Sequence, residues 1–186
     1  MAAVMGINFF ITVVELVGGL MSNSLSLISD ALHNFSDGFA MIISAIAIRL
    51  QRKGQSESYT FGLKRAEIMA AIFNSATLIA ICFYLFKESV DHLLHPEPVE
   101  GRMMIIVAVA GLLANGLGSW LLASGAKQNM NIRSAYLHML GDAVSSVAVL
   151  VGGFCILQWE IYWVDPVFTI LISLYILKAS WSIVKE

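Results

Sequence analysis

Charge is scarce in this chain. Aspartate, glutamate, lysine and arginine make up 13% of its 186 residues, about half of the roughly 25% expected of a soluble globular domain. Hydrophobic residues reach 58% and mean hydropathy is +0.79, so the solvent for which the chain is built is lipid. Cysteine is scarcer still. Cys82 and Cys155 are the two present, both in apolar runs without CxxC spacing, which excludes a disulfide framework and a thiolate metal cage and leaves two buried free thiols. No His-Glu-x-x-His occurs, so an intramembrane metalloprotease is excluded and the chain reads as no enzyme. Nothing supports nucleic-acid binding. Met1 to Val17 lacks the basic n-region of a signal peptide and runs on into Gly18 and Gly19 without a cleavage-like break, so it reads as a first spanning helix.

What is present is hydrophobic length. Against the ~20 residues that a spanning helix needs, hydropathy predicts six segments, at about 2–21, 25–50, 65–94, 103–124, 132–157 and 163–184. Turn chemistry separates them, at Ser22-Asn23-Ser24, Gln51 to Ser58, Pro96 to Gly101, Gly125 to Asn131 and Gln158 to Glu160. Such short links predict an all-α, polytopic membrane protein, a bundle of six antiparallel helices with no room for a soluble domain among them. Its main partner is the lipid bilayer. Basic residues set the orientation: Arg49, Arg52, Lys53, Lys64, Arg65, Lys127, Arg133, Lys178 and Lys185 fall on one side, and Lys87 and Arg102 on the other. By the positive-inside rule both termini face the cytoplasm. Trp159 and Trp163 fit the outer interfacial belt, and the compact connections suggest a bacterial inner membrane.

Inside these apolar segments lie two copies of one pattern. His33 and Asp37 are four residues apart in the second segment, and His138 and Asp142 in the fifth. Residues i and i+4 project from one helical face. Ionisable groups at membrane depth are costly unless they pair, bind a metal or line a watery path, and no lysine or arginine in the spanning interiors offers these carboxylates a partner. Two imidazole nitrogens and two carboxylate oxygens make a tetrahedral set suited to Zn²⁺, so the four residues predict a membrane carrier of a divalent transition metal. Zn²⁺ would be the transported substrate, with Cd²⁺, Co²⁺, Fe²⁺ and Mn²⁺ left open by ligand type. Protons are the expected counter-ion, because imidazole's reference pKa of ~6.5 lets protons compete with metal near ambient pH. The alternative is a haem-binding membrane subunit held by His33 and His138, which leaves both aspartates unexplained.

The flanking residues extend the pattern. Ser29-x-x-Leu32-His33-x-x-x-Asp37 has a counterpart in Ser134-x-x-Leu137-His138-x-x-x-Asp142, as if three helices formed each of two repeats with binding between them. At about 1.5 Å per residue, Asp37 lies roughly 18 Å below the outer edge and Asp142 roughly 15 Å from the inner one, so the aspartates meet near the midplane. The histidines come out too far apart for one site, and tilt or shifted helix ends must absorb about one turn. Asp30 is expected to accept a hydrogen bond from the imidazole of His33. Asn34, Ser36, Asn74 and Asn115 are expected to bond between helices, and Glu15 to make a polar contact or to help cations reach the site. His92 and His95, beside Asp91, Pro96 and Glu97, read as exposed and solvated rather than ligating. The glycines within the spans read as close helix contacts.

These residues carry a resemblance. SLSLISDALHNFSD over Ser24 to Asp37, YTFGLKRAE over Tyr59 to Glu67, and His138 to Asp142 together make the chain similar, over essentially its whole length, to the transmembrane domain of the cation diffusion facilitators, a family of zinc transporters. The resemblance implies that the second and fifth helices supply the transport site, here His33, Asp37, His138 and Asp142, and that two histidines with two aspartates suit zinc. It implies metal-for-proton antiport by alternating access, and a homodimer. The family's cytosolic metal-binding domain is not expected within these residues. A second cytoplasmic metal site is not expected either, since Gln51 to Tyr59 offers only Glu57 and Gly125 to Asn131 offers no ligand.

Overall fold

The computed structural model describes residues 2–51, 57–127 and 130–185, and every element in them is helical. The six helices are α1 (Ala2–Ser22), α2 (Leu25–Gln51), α3 (Glu57–Leu94), α4 (Gly101–Ala126), α5 (Met130–Trp159) and α6 (Val164–Lys185). Arg52 and Lys53, which contribute to the charge bias, lie outside the described residues, as do Gln128 and Asn129 of the fourth connection. The largest shift from the expected boundaries is in α3, which begins at Glu57 rather than near residue 65. Hydropathy marks the apolar part of a helix, whereas backbone hydrogen bonding carries it on through polar residues. Two helical stretches, Gly101–Ala126 and Ala135–Trp159, combine spanning length with a mean hydropathy of 2.0, and Gly6–Ser22 is a shorter apolar stretch.

The distribution of side chains is inverted relative to a protein in water. Phe10, Phe73, Trp120, Leu94 and Met69 are at least 70% exposed, while Asn8, Glu15, Asp30, Asn34, Asn115 and Asp165 are all buried. Large apolar groups face outward and polar groups face one another, the arrangement expected when the surroundings are hydrocarbon. Cys82 is buried and Cys155 half-buried, both free.

Turn residues end the helices by identifiable means. Asn23 takes a left-handed φ of 57° after α1, and the Ser24 N–H donates to the Gly19 carbonyl at 3.0 Å, closing a Schellman motif. Glu160 also takes a left-handed φ, 56°, after α5, and closes the simpler αL motif, its N–H donating to the Ile156 carbonyl at 2.8 Å. Ser24 then opens α2, its Oγ accepting from the Leu27 N–H at 3.3 Å. Asp165 at the start of α6 completes the join. Its carboxylate accepts from Ser24 Oγ and Ser26 Oγ at 2.6 Å each, from the Leu25 N–H at 2.7 Å and from the Ser26 N–H at 3.4 Å. A carboxylate over the first turn of α2 also opposes the helix dipole.

Packing divides the bundle. α4 lies closest along α5, α1 packs on α2 and α4, and α3 packs on α6 and α2. Met104, Val107 and Ala108 of α4, Val149 and Ile156 of α5, Leu27 of α2 and Val99 before α4 form the main core, while Leu78, Cys82 and Ile176 form a smaller one between α3 and α6. By contrast α2 and α5 touch over a short stretch only. That gap is where the site lies.

Glycine permits the α4–α5 approach. A Cβ on Gly101 would stand 2.8 Å from the Gly153 carbonyl oxygen and 2.9 Å from the Leu157 nitrogen, which are backbone atoms that cannot step aside. Gly116 and Gly141 have nothing within 4 Å of such an atom, so close contact explains some of the glycines in the spans but not these two. Gly101→Ala should therefore cost about 1–3 kcal/mol of stability, as overpacking does. Gly116→Ala should be neutral or stabilising. Thermal unfolding of the two variants in the same detergent checks the contrast.

Candidate metal centre

His33 and Asp37 lie on successive turns of α2, and His138 and Asp142 on successive turns of α5, so each helix offers one nitrogen and one oxygen from a single face. The structure gathers His33, His138 and Asp142 into one group and sets Asp37 beside the two histidines. Asp37 Oδ2 is 3.4 Å from both His33 Nε2 and His138 Nε2, and His138 Nε2 is 3.4 Å from Asp142 Oδ2. Ligating atoms of His33, His138 and Asp142 lie within 4.8 Å of one another, a group that could hold a metal ion. The two imidazole rings stand 6.1 Å apart, edge to face.

Those spacings identify what the set is suited to. Charge-assisted hydrogen bonds between imidazole and carboxylate run to about 2.7–2.9 Å. A tetrahedral ion with ligands at about 2.0–2.1 Å instead places its donor atoms about 3.3 Å apart. The three contacts at 3.4 Å are close to the second figure, but Asp37 falls outside the group whose donor atoms all lie within 4.8 Å of one another. Consistently, His138 Nε2 and Asp142 Oδ2 are buried and have no hydrogen-bond partner among the described residues. Unpaired polar atoms at this depth are costly, and a shared cation would satisfy them together.

The expected separation of the histidines is not found, the rings being 6.1 Å apart. Asp37 lies beside His138, and Asp30 beside Ser145 (Oγ donating at 2.8 Å), so α2 and α5 run antiparallel through the site. The histidine of one copy then meets the aspartate of the other, and the levels need not match histidine to histidine. A haem-binding subunit finds no support, because carboxylates rather than a flat slot lie between the imidazoles.

Among the surrounding residues some expectations hold and others are corrected. Asn34 bonds across to α1, its Nδ2 donating to Glu15 Oε2 at 2.9 Å, and Asn74 donates to Ser36 Oγ at 2.6 Å across the α2–α3 interface. Asn115 was expected to bond between helices, yet neither of its amide atoms has a partner among the described residues. Asp30 accepts from Ser145 rather than from His33, whose Nδ1 is itself without a hydrogen bond, because antiparallel packing turns Asp30 toward α5. His92 is buried rather than exposed, 3.7 Å from Glu97 Oε2, because the α3–α4 connection folds back over the α1–α2 turn, where Asn23 donates to Glu97 at 2.9 Å. His95 is exposed as expected. Reading the sequence gave no role to Asp165, whose signal was an aspartate at the start of the last apolar segment.

A cavity of about 480 Å³ leads away from the centre between α2, α5 and α6. Asp30, His33, Asp142 and Ser145 supply its polar lining, and Phe168 and Tyr175 of α6 form part of its apolar wall. Tyr175 sets its ring edge-on to His33 at 6.4 Å. On α2 the lining is Asp30 and His33, near Leu25, on α6 it runs from Phe168 to Tyr175, and on α5 it occupies the middle of the helix, from Leu140 to Ala148.

An integral, multi-pass membrane protein with a buried histidine–aspartate centre is the class that this fold and site define. The family described as the cation efflux transmembrane domain matches residues 1–186, and the chain belongs to that family, the cation diffusion facilitators. It is similar to the zinc transporter ZitB of Pectobacterium atrosepticum, with 39% identity over 175 residues, covering 94% of this chain and 55% of the relative. It is 35% identical over 176 residues to the cadmium, cobalt and zinc/H(+)-K(+) antiporter of Bacillus subtilis, covering 94% of this chain and 57% of that protein. The metal cation efflux system protein CzcD of Cupriavidus metallidurans is 36% identical over 174 residues, covering 94% and 55%. The chain thus spans a little over half the length of these relatives. Membership of a transporter family agrees with the reading that the chain is no enzyme.

Proposed function

We propose that this chain is the membrane unit of a divalent metal cation exporter, with Zn²⁺ its preferred substrate and His33, Asp37, His138 and Asp142 the four ligands. The grouping of His33, His138 and Asp142 donor atoms within 4.8 Å carries the reading, supported by Asp37 Oδ2 at 3.4 Å from both imidazoles, a spacing close to the edge of a zinc tetrahedron. Zn²⁺, Cd²⁺ and Co²⁺ are named for relatives identical to this chain at over a third of the aligned residues. All six helices cross the membrane in this reading, with both termini in the cytoplasm of a bacterial cell and the protein in its inner membrane. Two copies form a homodimer.

Metal is exchanged for protons by alternating access. Zn²⁺ binds from the cytoplasmic side to neutral imidazoles and ionised carboxylates, and it leaves when the centre faces the other side, where protons take the same atoms. Zinc influx into proteoliposomes tests this. With an acidic lumen, influx should be faster than at equal pH and should slow again when a protonophore collapses the gradient. Each proton exchanged across about one pH unit drives roughly tenfold accumulation. Influx indifferent to the gradient would remove the proton coupling, and no zinc influx at all would remove the carrier.

A further inference from the structure

His33 is held in an unusual way for a metal-binding histidine. Its Nε2 lies 3.4 Å from Asp37 Oδ2, while its Nδ1 is buried without a hydrogen-bond partner among the described residues. A metal-bound imidazole ordinarily donates its other nitrogen to an acceptor, and that bond fixes the ring. Asp30, three residues earlier on α2, is engaged by Ser145 instead. Ring packing is what remains. Among the described residues the His33 ring meets two others, His138 at 6.1 Å with an interplanar angle of 71° and Tyr175 at 6.4 Å with one of 84°. His138 is itself a proposed ligand, so the ring contact that comes from outside the centre is that of Tyr175. We propose that Tyr175 is a positioning residue for metal binding, setting the His33 imidazole by edge-to-face packing in place of a hydrogen bond.

Its place in the bundle widens the effect of this contact. The proposed ligands lie on α2 and α5, whereas Tyr175 lies on α6, which supplies none of them and packs chiefly along α3. Through this ring the position of α6 bears on the ligand geometry of α2. Tyr175 shares the cavity wall with His33 and is 64% exposed, so its truncation leaves the core filled and the chain folded. The contact uses the ring and not the hydroxyl, so phenylalanine should serve as well as tyrosine.

This inference rests on the proposed ligand set and adds a residue outside it. Its test is titration of the purified full chain in detergent with Zn²⁺, and separately with Co²⁺, whose visible absorption reports the geometry of the ligands around it. Tyr175→Ala should weaken zinc binding about tenfold, which is the upper reach of an aromatic pair and the lower end for losing a residue that orients a ligand. It should also change the intensity or position of the bound-cobalt bands. Tyr175→Leu, which keeps apolar bulk without a ring, should behave like Tyr175→Ala, and Tyr175→Phe should match the parent in both measurements. Leu171→Ala trims the same cavity wall one turn earlier on α6, at a residue 56% exposed, and should match the parent as well. The proposal is overturned if Tyr175→Ala equals the parent in zinc affinity or in cobalt spectrum, or if Tyr175→Phe fails to match the parent. It is equally overturned if Leu171→Ala loses as much affinity as Tyr175→Ala, since the effect would then belong to the wall and not to the ring. A parent chain that binds neither zinc nor cobalt would remove the ligand set, and this inference with it.

Discussion

Replacing Asp37 or Asp142 by alanine should reduce zinc transport in proteoliposomes to the level of protein-free vesicles while the chain still folds. The expectation rests on the economy of the centre. In the proposed set of four ligands, each aspartate is a quarter of the donors as well as half of the negative charge that balances a dication. Loss of a residue that merely orients a ligand costs about 10- to 100-fold in metal affinity, and loss of a ligand should cost more. Folding should survive, since removing a buried carboxylate that lacks a basic partner relieves a cost as well as losing a contact. Zinc affinity by titration, alongside size-exclusion elution of the variants, separates the two effects. Transport at the parental rate in either variant would remove that residue from the ligand set.

Asp165→Ala should produce the largest loss of stability of any single side-chain truncation at the Leu25 end of the bundle. Asp165 is fully buried and accepts four hydrogen bonds from the start of α2. Alanine would leave those donors unpaired at about 1–3 kcal/mol each, partly recovered where water or Thr169 reaches them, for a net cost of about 3–5 kcal/mol. Asn should recover part of that, because its amide keeps one accepting oxygen. Thermal or denaturant unfolding in detergent measures both substitutions. A melting point for Asp165→Ala equal to that of the parent would show that the join between α2 and α6 is incidental. If zinc binding weakens along with stability, the join also sets the position of His33, which lies two turns further along the same helix.

The order and approximate limits of the helices were legible because each is an apolar run closed by turn residues, and Asn23 and Glu160 end α1 and α5 by backbone geometry that such residues tolerate. The four residues proposed as ligands stood out for a different reason. Histidine and aspartate four apart in an apolar run are rare enough that a second copy stands out. What the sequence could not convey was which residues meet across helices. His92 beside Glu97, Asp165 over the first turn of α2, and Asp30 turned toward Ser145 all depend on crossing angles set by packing, with Gly101 against the α5 backbone as one determinant. The start of α3 at Glu57 was hidden because its first turns are polar, and hydropathy does not register a helix that continues beyond its greasy portion.

The crossed arrangement of the centre bears on direction. Although α2 and α5 run opposite ways and carry the same His-x-x-x-Asp pattern, a half-turn does not map the centre onto itself: Asp37 lies 3.4 Å from His138 with no matching contact between Asp142 and His33, and its side chain is 29% exposed against 4% for Asp142. An ion held there would meet one open carboxylate and one enclosed one. The quartet itself therefore distinguishes the two directions of approach.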